Sequence, residues 1–94
     1  MKENLLNTKK ELINKLKQAE DELVTLKQNI KNNESDLWLN TNFNELGYTN
    51  KETRKSYVNK CIKDLKLNES LKRNEVNHLK RELTLCDNKI KLLS

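Results

Sequence analysis

Cys61, Cys86 and His78 are the residues of this chain best suited to nucleophilic, redox or metal chemistry. Both cysteines fall on one predicted helix, where they would lie about 37 Å apart, too far for a disulfide. We therefore expect reduced thiols. His78 is the only histidine, with no nucleophile or carboxylate arranged around it, which favours a packing role. The sequence also lacks a Gly-rich phosphate loop, a Cys-x-x-Cys pair and an HExxH motif, so we expect no enzyme, no cofactor and no metal site.

Residues suited to binding a partner are concentrated in the stretch WLNTNFNELGYTNKETRKSY, from Trp38 to Tyr57. This stretch holds every aromatic residue of the chain and its only glycine, Gly47, with cations beside the rings. Aromatic and arginine side chains are typical of the centres of protein interfaces, and they also stack on bases. The partner-binding candidates are Trp38, Phe43, Tyr48, Lys51, Arg54, Lys55 and Tyr57. The structural alternative is an aromatic cap that fills a gap between two splayed helices.

The charge is unevenly distributed along the chain. Residues 1–49 carry a net charge of −1 and residues 50–94 a net charge of +6, within a total of +5. Basic residues between 51 and 91 suit phosphate contacts with nucleic acid. They suit an acidic protein surface equally well.

Two apolar tracts must position these residues. One contains Leu5, Lys9, Leu12, Leu16, Ala19, Leu23, Leu26, Ile30, Asn33 and Leu37. The other contains Val58, Ile62, Leu65, Glu69, Lys72, Val76, Leu79, Leu83, Cys86, Ile90 and Leu93. Steps of four and three alternate in both tracts, which is typical of a coiled-coil seam, and the absence of proline favours long helices.

The two tracts match when the chain is folded back on itself. Leu16 then pairs with Leu79 and Leu12 with Leu83, each pair of numbers summing to 95. The sequence therefore predicts an all-α fold: one antiparallel two-helix coiled-coil hairpin over residues 1–94. Its first arm covers about 3–39, its tip 40–49 and its second arm about 50–92. We interpret the polar seam residues Glu69 and Lys72 as long side chains that reach water, the alternative being a register lock or a partner contact.

Local signals predict how the tip turns. Asn42 is expected to cap a short helical turn that runs through Leu46 and ends at Gly47 with a positive φ. Thr49 and Glu52 have capping-box spacing, which predicts that the second arm starts at Asn50.

Apolar residues outside the seam predict further association, because a two-helix hairpin is thin. They are Leu6, Ile13, Leu71, Leu85 and Leu92. We expect a homodimer that forms a four-helix bundle. The alternative is a groove for a helix of another protein.

The segment LWLNTNFNELGYTNKETRKSYV resembles segments of small helical proteins encoded by phages and prophages of low-GC bacteria. The bias toward Lys over Arg, sixteen to three, agrees with an A/T-rich genome. The resemblance implies an accessory protein of a mobile element, one that binds and blocks a host defence complex as anti-CRISPR proteins do. This chain differs from the acidic nucleic-acid mimics among such inhibitors because it is basic.

The first residues lack the apolar run of a signal peptide, and no stretch is apolar enough for a membrane span. We therefore expect a protein of the bacterial cytoplasm without a membrane partner. The leading functional hypothesis is a protein-binding accessory protein. The alternatives are a basic nucleic-acid-binding accessory protein and a structural coiled-coil spacer.

Overall fold

A computed structural model describes residues 2–93 of the chain. It contains three helices, α1 (Lys2–Asn40), α2 (Lys51–Cys61) and α3 (Lys63–Leu93), and no strand within the described range. The predicted all-α fold is therefore confirmed. The helices contribute to two compact units, one formed by residues up to Val24 and from Leu71 onward, the other by Thr25–Ser70.

The first unit is an antiparallel helical pair with the apolar tracts between its helices. Ala19, Val76 and Cys86 are buried, while other seam positions such as Leu12 and Leu83 are half-buried. The Cys86 thiol donates to the Leu5 carbonyl oxygen at 3.4 Å. Lys9 pairs with Asp87 at 2.8 Å, and Lys72 pairs with Glu22.

Lys72 does more than extend its side chain into water. Its ammonium group bridges Glu22 on α1 and Glu75 on α3, the latter at 2.7 Å, and its side chain is only 22% exposed. The hydrogen bonds from Lys72 lower the pKa of Glu22, and those to Glu22 and Glu75 raise the pKa of Lys72. This polar seam position is thus satisfied by charge on both helices.

The second unit is a helical hairpin closed by the tip. Its core consists of Ile30, Phe43, Val58 and Ile62, with Leu37 and Leu65 packed against them. Val58 and Ile62 are the most completely buried side chains, each 1% exposed. The core lies directly behind the tip and therefore fixes the position of its residues.

The start of the second arm differs from the prediction. Asn50, not Thr49, caps α2, because its side-chain oxygen accepts from the Thr53 amide at 2.8 Å. The two candidate caps are neighbours with similar cap propensity, and the extended backbone of Asn50 aims its side chain at that amide.

The expected single helix of the second arm is also interrupted. At Ile62 the backbone has φ −101° and ψ 8°, outside the helical region, and α3 begins at the next residue. Neither proline nor glycine is present there; Ile62 is instead packed into the core of the second unit. Among the described residues, no helix has the length and apolar character needed to span a bilayer.

Candidate binding surface at the tip

Residues 41–50 join α1 to α2 through a turn rather than a regular helix. The Asn42 side chain accepts from the Glu45 amide at 3.3 Å, as its predicted cap role requires. The Gly47 amide donates to the Asn44 carbonyl oxygen at 3.1 Å, and Gly47 has a φ of +83°. The predicted positive φ is therefore confirmed, and it lets the chain reverse into Tyr48.

Arg54 holds this turn against α2. Its Nε donates to the Tyr48 carbonyl oxygen at 2.9 Å, and its Nη2 donates to Asn44 Oδ1 at 3.0 Å. The guanidinium also lies over the Phe43 ring, 5.3 Å from the centroid. One side chain of α2 thus engages three residues of the turn, with two of its five N–H donors bonded within the tip.

The four rings form a chain of neighbours. Phe43 lies at its centre, with ring centroids 5.4 Å from Trp38 and 6.2 Å from Tyr57. The Tyr48 and Tyr57 rings are 5.2 Å apart. Phe43 is 7% exposed and the two tyrosines are half-buried, which fits the aromatic cap considered from the sequence.

The rest of the tip is more open. Trp38 is 37% exposed, and Leu46 is 52% exposed. Leu39 is 81% exposed beside Trp38, and both line a shallow depression with Lys31 and Glu34. Sequence reasoning missed Leu39, although its position outside the apolar tract is a usable signal. We call Trp38 and Leu39 the tip patch.

The remaining binding candidates lie on α2. Lys51 and Lys55 are exposed. Tyr48 and Tyr57 line an open groove along the outer side of α2 with Lys60 and Cys61. A hydrogen bond with the Cys61 thiol raises the pKa of Tyr57 above its ordinary value.

The five residues expected at a dimer interface all lie in the first unit and are all exposed. The exposed fractions are 41% for Leu6, 45% for Ile13, 59% for Leu71, 55% for Leu85 and 86% for Leu92. They therefore form apolar surface, as an interface requires.

The titratable residues of the described range do not form a metal centre. Within residues 2–93, no group of three His, Cys, Asp or Glu side chains could hold an ion. His78 lies 3.8 Å from Glu82, and its side chain is 64% exposed rather than partly buried in packing. Cys61 is an exposed free thiol and Cys86 a buried one.

Comparison with known proteins gives no further guide to the tip. No protein-family model, no curated protein and no solved structure matches this chain.

Proposed function

We propose that this chain is a non-enzymatic protein-binding module that engages its partner through the tip patch. The observation that carries the proposal is the exposure of Trp38 and Leu39, 37% and 81%, beside rings that are otherwise packed. Exposed apolar side chains at a rigid helix end are suited to insertion into a partner's pocket. The packed Phe43 and the bonded Arg54 hold this helix end in a defined conformation, which reduces the entropic cost of binding.

The charge beside the tip patch supports a partner with an acidic rim. Lys31 lies in the same depression, and Lys51 and Lys55 project from the start of α2. In the form that the sequence resemblance implies, the protein comes from a phage or prophage and acts in the cytoplasm of its bacterial host. The partner is then a host defence complex, which the module blocks by covering a protein surface. Self-association as a homodimer through exposed apolar residues of the first unit belongs to the same proposal.

The tip patch is tested by affinity capture from a lysate of a low-GC bacterium, with and without nuclease. Leu39→Glu is expected to reduce capture of the specific partner at least about tenfold, because a carboxylate replaces an apolar anchor. Leu67→Glu is the matched control, since Leu67 is an exposed leucine of the same unit on α3. Equal loss in both variants, or none in either, would remove the tip patch from the proposal.

The groove on α2 favours a second candidate function, binding of single-stranded nucleic acid. Tyr48 and Tyr57 offer partly exposed ring faces for stacking, and Lys60 supplies a cation in the same groove. This candidate requires an affinity that falls steeply with salt for many sequences alike. It also requires that Lys60→Gln and Tyr57→Leu weaken binding while Leu39→Glu does not. The protein-binding candidate predicts the opposite pattern for these variants.

A further inference from the structure

The first unit carries two exposed apolar rows, one on each helix. On α1, Leu6 and Ile13 are seven residues apart, and each directly follows a seam residue, Leu5 or Leu12. On α3, Leu85 and Leu92 are also seven apart, but each directly precedes a seam position. Leu71 continues this second row, and it too precedes a seam residue, Lys72.

This difference in phase places the two rows on opposite sides of the helical pair. Each residue turns the helix by about 100°, so residues before and after the seam flank it on opposite sides. In an antiparallel pair, the positions that follow the seam on both helices share one side, and those that precede it share the other. The position of Glu22 and Glu75 together in one depression, which also holds Lys15, agrees with this assignment.

The two sides differ in charge as well. The Leu6 face combines its apolar row with cations from both helices: Leu6, Ile13, Lys10, Lys17, Arg73 and Lys80. Its exposed carboxylates are Glu3 and Glu20, while Asp87 is paired with Lys9.

The Leu85 face combines the α3 row with carboxylates: Leu71, Leu85, Leu92, Glu22, Glu75 and Glu82. Glu11 adds a further carboxylate. Lys15 and Lys89 are the opposing cations, and Lys72 of the seam pairs with Glu22 and Glu75. His78 lies within this row and approaches Glu82. The first unit therefore has one strongly basic and one weakly acidic face, each with exposed apolar side chains.

We infer that copies of this chain associate through unlike faces, with the Leu6 face of one copy on the Leu85 face of the next. A symmetric interface between like faces leaves the other apolar row of each copy exposed and brings like charges together. In a series of contacts between unlike faces, each inner copy buries both of its rows, and cations oppose carboxylates. The inference rests on the self-association in the proposed function, but it replaces a closed dimer by an open series, since each pair leaves one face of each kind free.

The test uses two full-length variants that each block one face. Ile13→Glu places a carboxylate on the Leu6 face, and Leu85→Lys places a cation on the Leu85 face; each then repels its complementary face. In sedimentation velocity at low salt, wild type is expected to exceed twice its 11.1 kDa mass as concentration rises, and to dissociate when salt is added. Each variant alone is expected to be monomeric, with loss of all association.

An equimolar mixture of the two variants is the decisive sample. It should restore association at least to a one-to-one dimer, because the intact Leu85 face of one variant meets the intact Leu6 face of the other. Asn14→Glu and Asn88→Lys carry the same charge changes at exposed positions away from both rows and should associate as wild type does. Helicity measured by circular dichroism checks that every variant is folded.

Four results would overturn the inference. If one variant still dimerises alone while the other does not, the interface joins like faces. If both variants still associate, neither face is used, and a monomeric mixture excludes contact between unlike faces. Wild type that stays monomeric at every concentration removes self-association altogether, but leaves the tip patch to be decided separately by the capture experiment with Leu39→Glu.

Discussion

Arg54 donates a hydrogen bond from Nε to the carbonyl oxygen of Tyr48, 2.9 Å away, and so ties α2 to the turn that precedes it. The sequence suggested Arg54 as a residue for a partner. Its contacts with Asn44 and the Phe43 ring give it an additional role within the tip. A change at Arg54 therefore affects folding, and loss of binding in such a variant does not by itself identify a contact.

Arg54→Ala is expected to lower the free energy of unfolding by about 2–3 kcal/mol, because it removes two charge-assisted hydrogen bonds and a cation–π contact. Arg54→Lys should recover only part of this, since an ammonium group cannot reproduce the forked donor geometry. Chemical denaturation measures the loss. Lys55→Ala is the control: this exposed neighbour should change stability by about 0.5 kcal/mol or less. Equal stability of both alanine variants would contradict the role assigned to Arg54.

Gly47 has a φ of +83°, and a Cβ added there would meet no atom within 4 Å. The cost of a side chain should therefore come from the backbone alone. Gly47→Ala is expected to destabilise by about 1–2 kcal/mol, and Gly47→Asn by less, because asparagine tolerates this conformation. Thermal unfolding ranks the two variants. A Gly47→Ala protein as stable as wild type would show that the turn can adopt another conformation.

Phe43 is expected to be the ring on which the tip most depends, since it lies among Ile30, Val58 and Ile62. Phe43→Ala should cost about 3–5 kcal/mol through lost burial and a cavity. Trp38→Ala should cost less, because its side chain is partly exposed and contacts the cluster from the outside. Denaturation midpoints of the two variants test this order, and the reverse order would place the centre of the cluster at Trp38.

The lowered pKa of Glu22 makes the stability of the first unit depend on pH in the acid range. A carboxyl group whose pKa is lowered by folding stabilises the protein above its unfolded pKa, near 4.5, and loses that contribution as the pH falls through the folded value. Asp87 raises the pKa of Lys9, and Glu22 and Glu75 raise the pKa of Lys72. The contribution of these two lysines to stability is therefore present below about pH 10.5 and is lost as the pH rises above it. These contributions should be fully present between the two limits.

Glu22→Gln separates this effect from general acid unfolding. The variant should be less stable than wild type at neutral pH, and the difference should shrink below about pH 4.5 as Glu22 is protonated. Melting temperatures across the acid range measure it. A difference that stays constant from neutral to acid pH would mean that the Lys72 pair does not contribute through its charge.

The helical seam could be read from the sequence because it depends on periodicity alone. Positions such as Ala19, Val76 and Cys86 are buried where steps of three and four placed them. The exposed Asn33 is an exception, and half-buried Glu34 follows it. The polar Asn33 in the repeat indicated a weak seam position, but it did not show which neighbouring side chain would face the other helix instead.

The tip was less predictable because its contacts depend on three-dimensional geometry. Asn42 and Gly47 could be assigned from local propensity, whereas the choice of Asn50 over Thr49 depends on one backbone angle pair. No glycine or proline occurs at the interruption at Ile62, so the sequence gives no signal for it. The contacts of Arg54 with Asn44 join residues ten apart and follow only once the turn is formed.

Site-specific photo-crosslinking from position 39 tests most directly whether the tip patch binds a protein. A photoreactive phenylalanine analogue at Leu39 should crosslink one nuclease-insensitive partner in a lysate of a low-GC bacterium, because this side chain is 81% exposed at the centre of the proposed contact. The same analogue at Leu67, an exposed leucine on α3, should not capture that protein. Unlabelled wild-type protein should compete the crosslink away, and unlabelled Leu39→Glu should not. Identical crosslinks from positions 39 and 67, or competition by both unlabelled proteins, would contradict a partner-binding role for the tip patch.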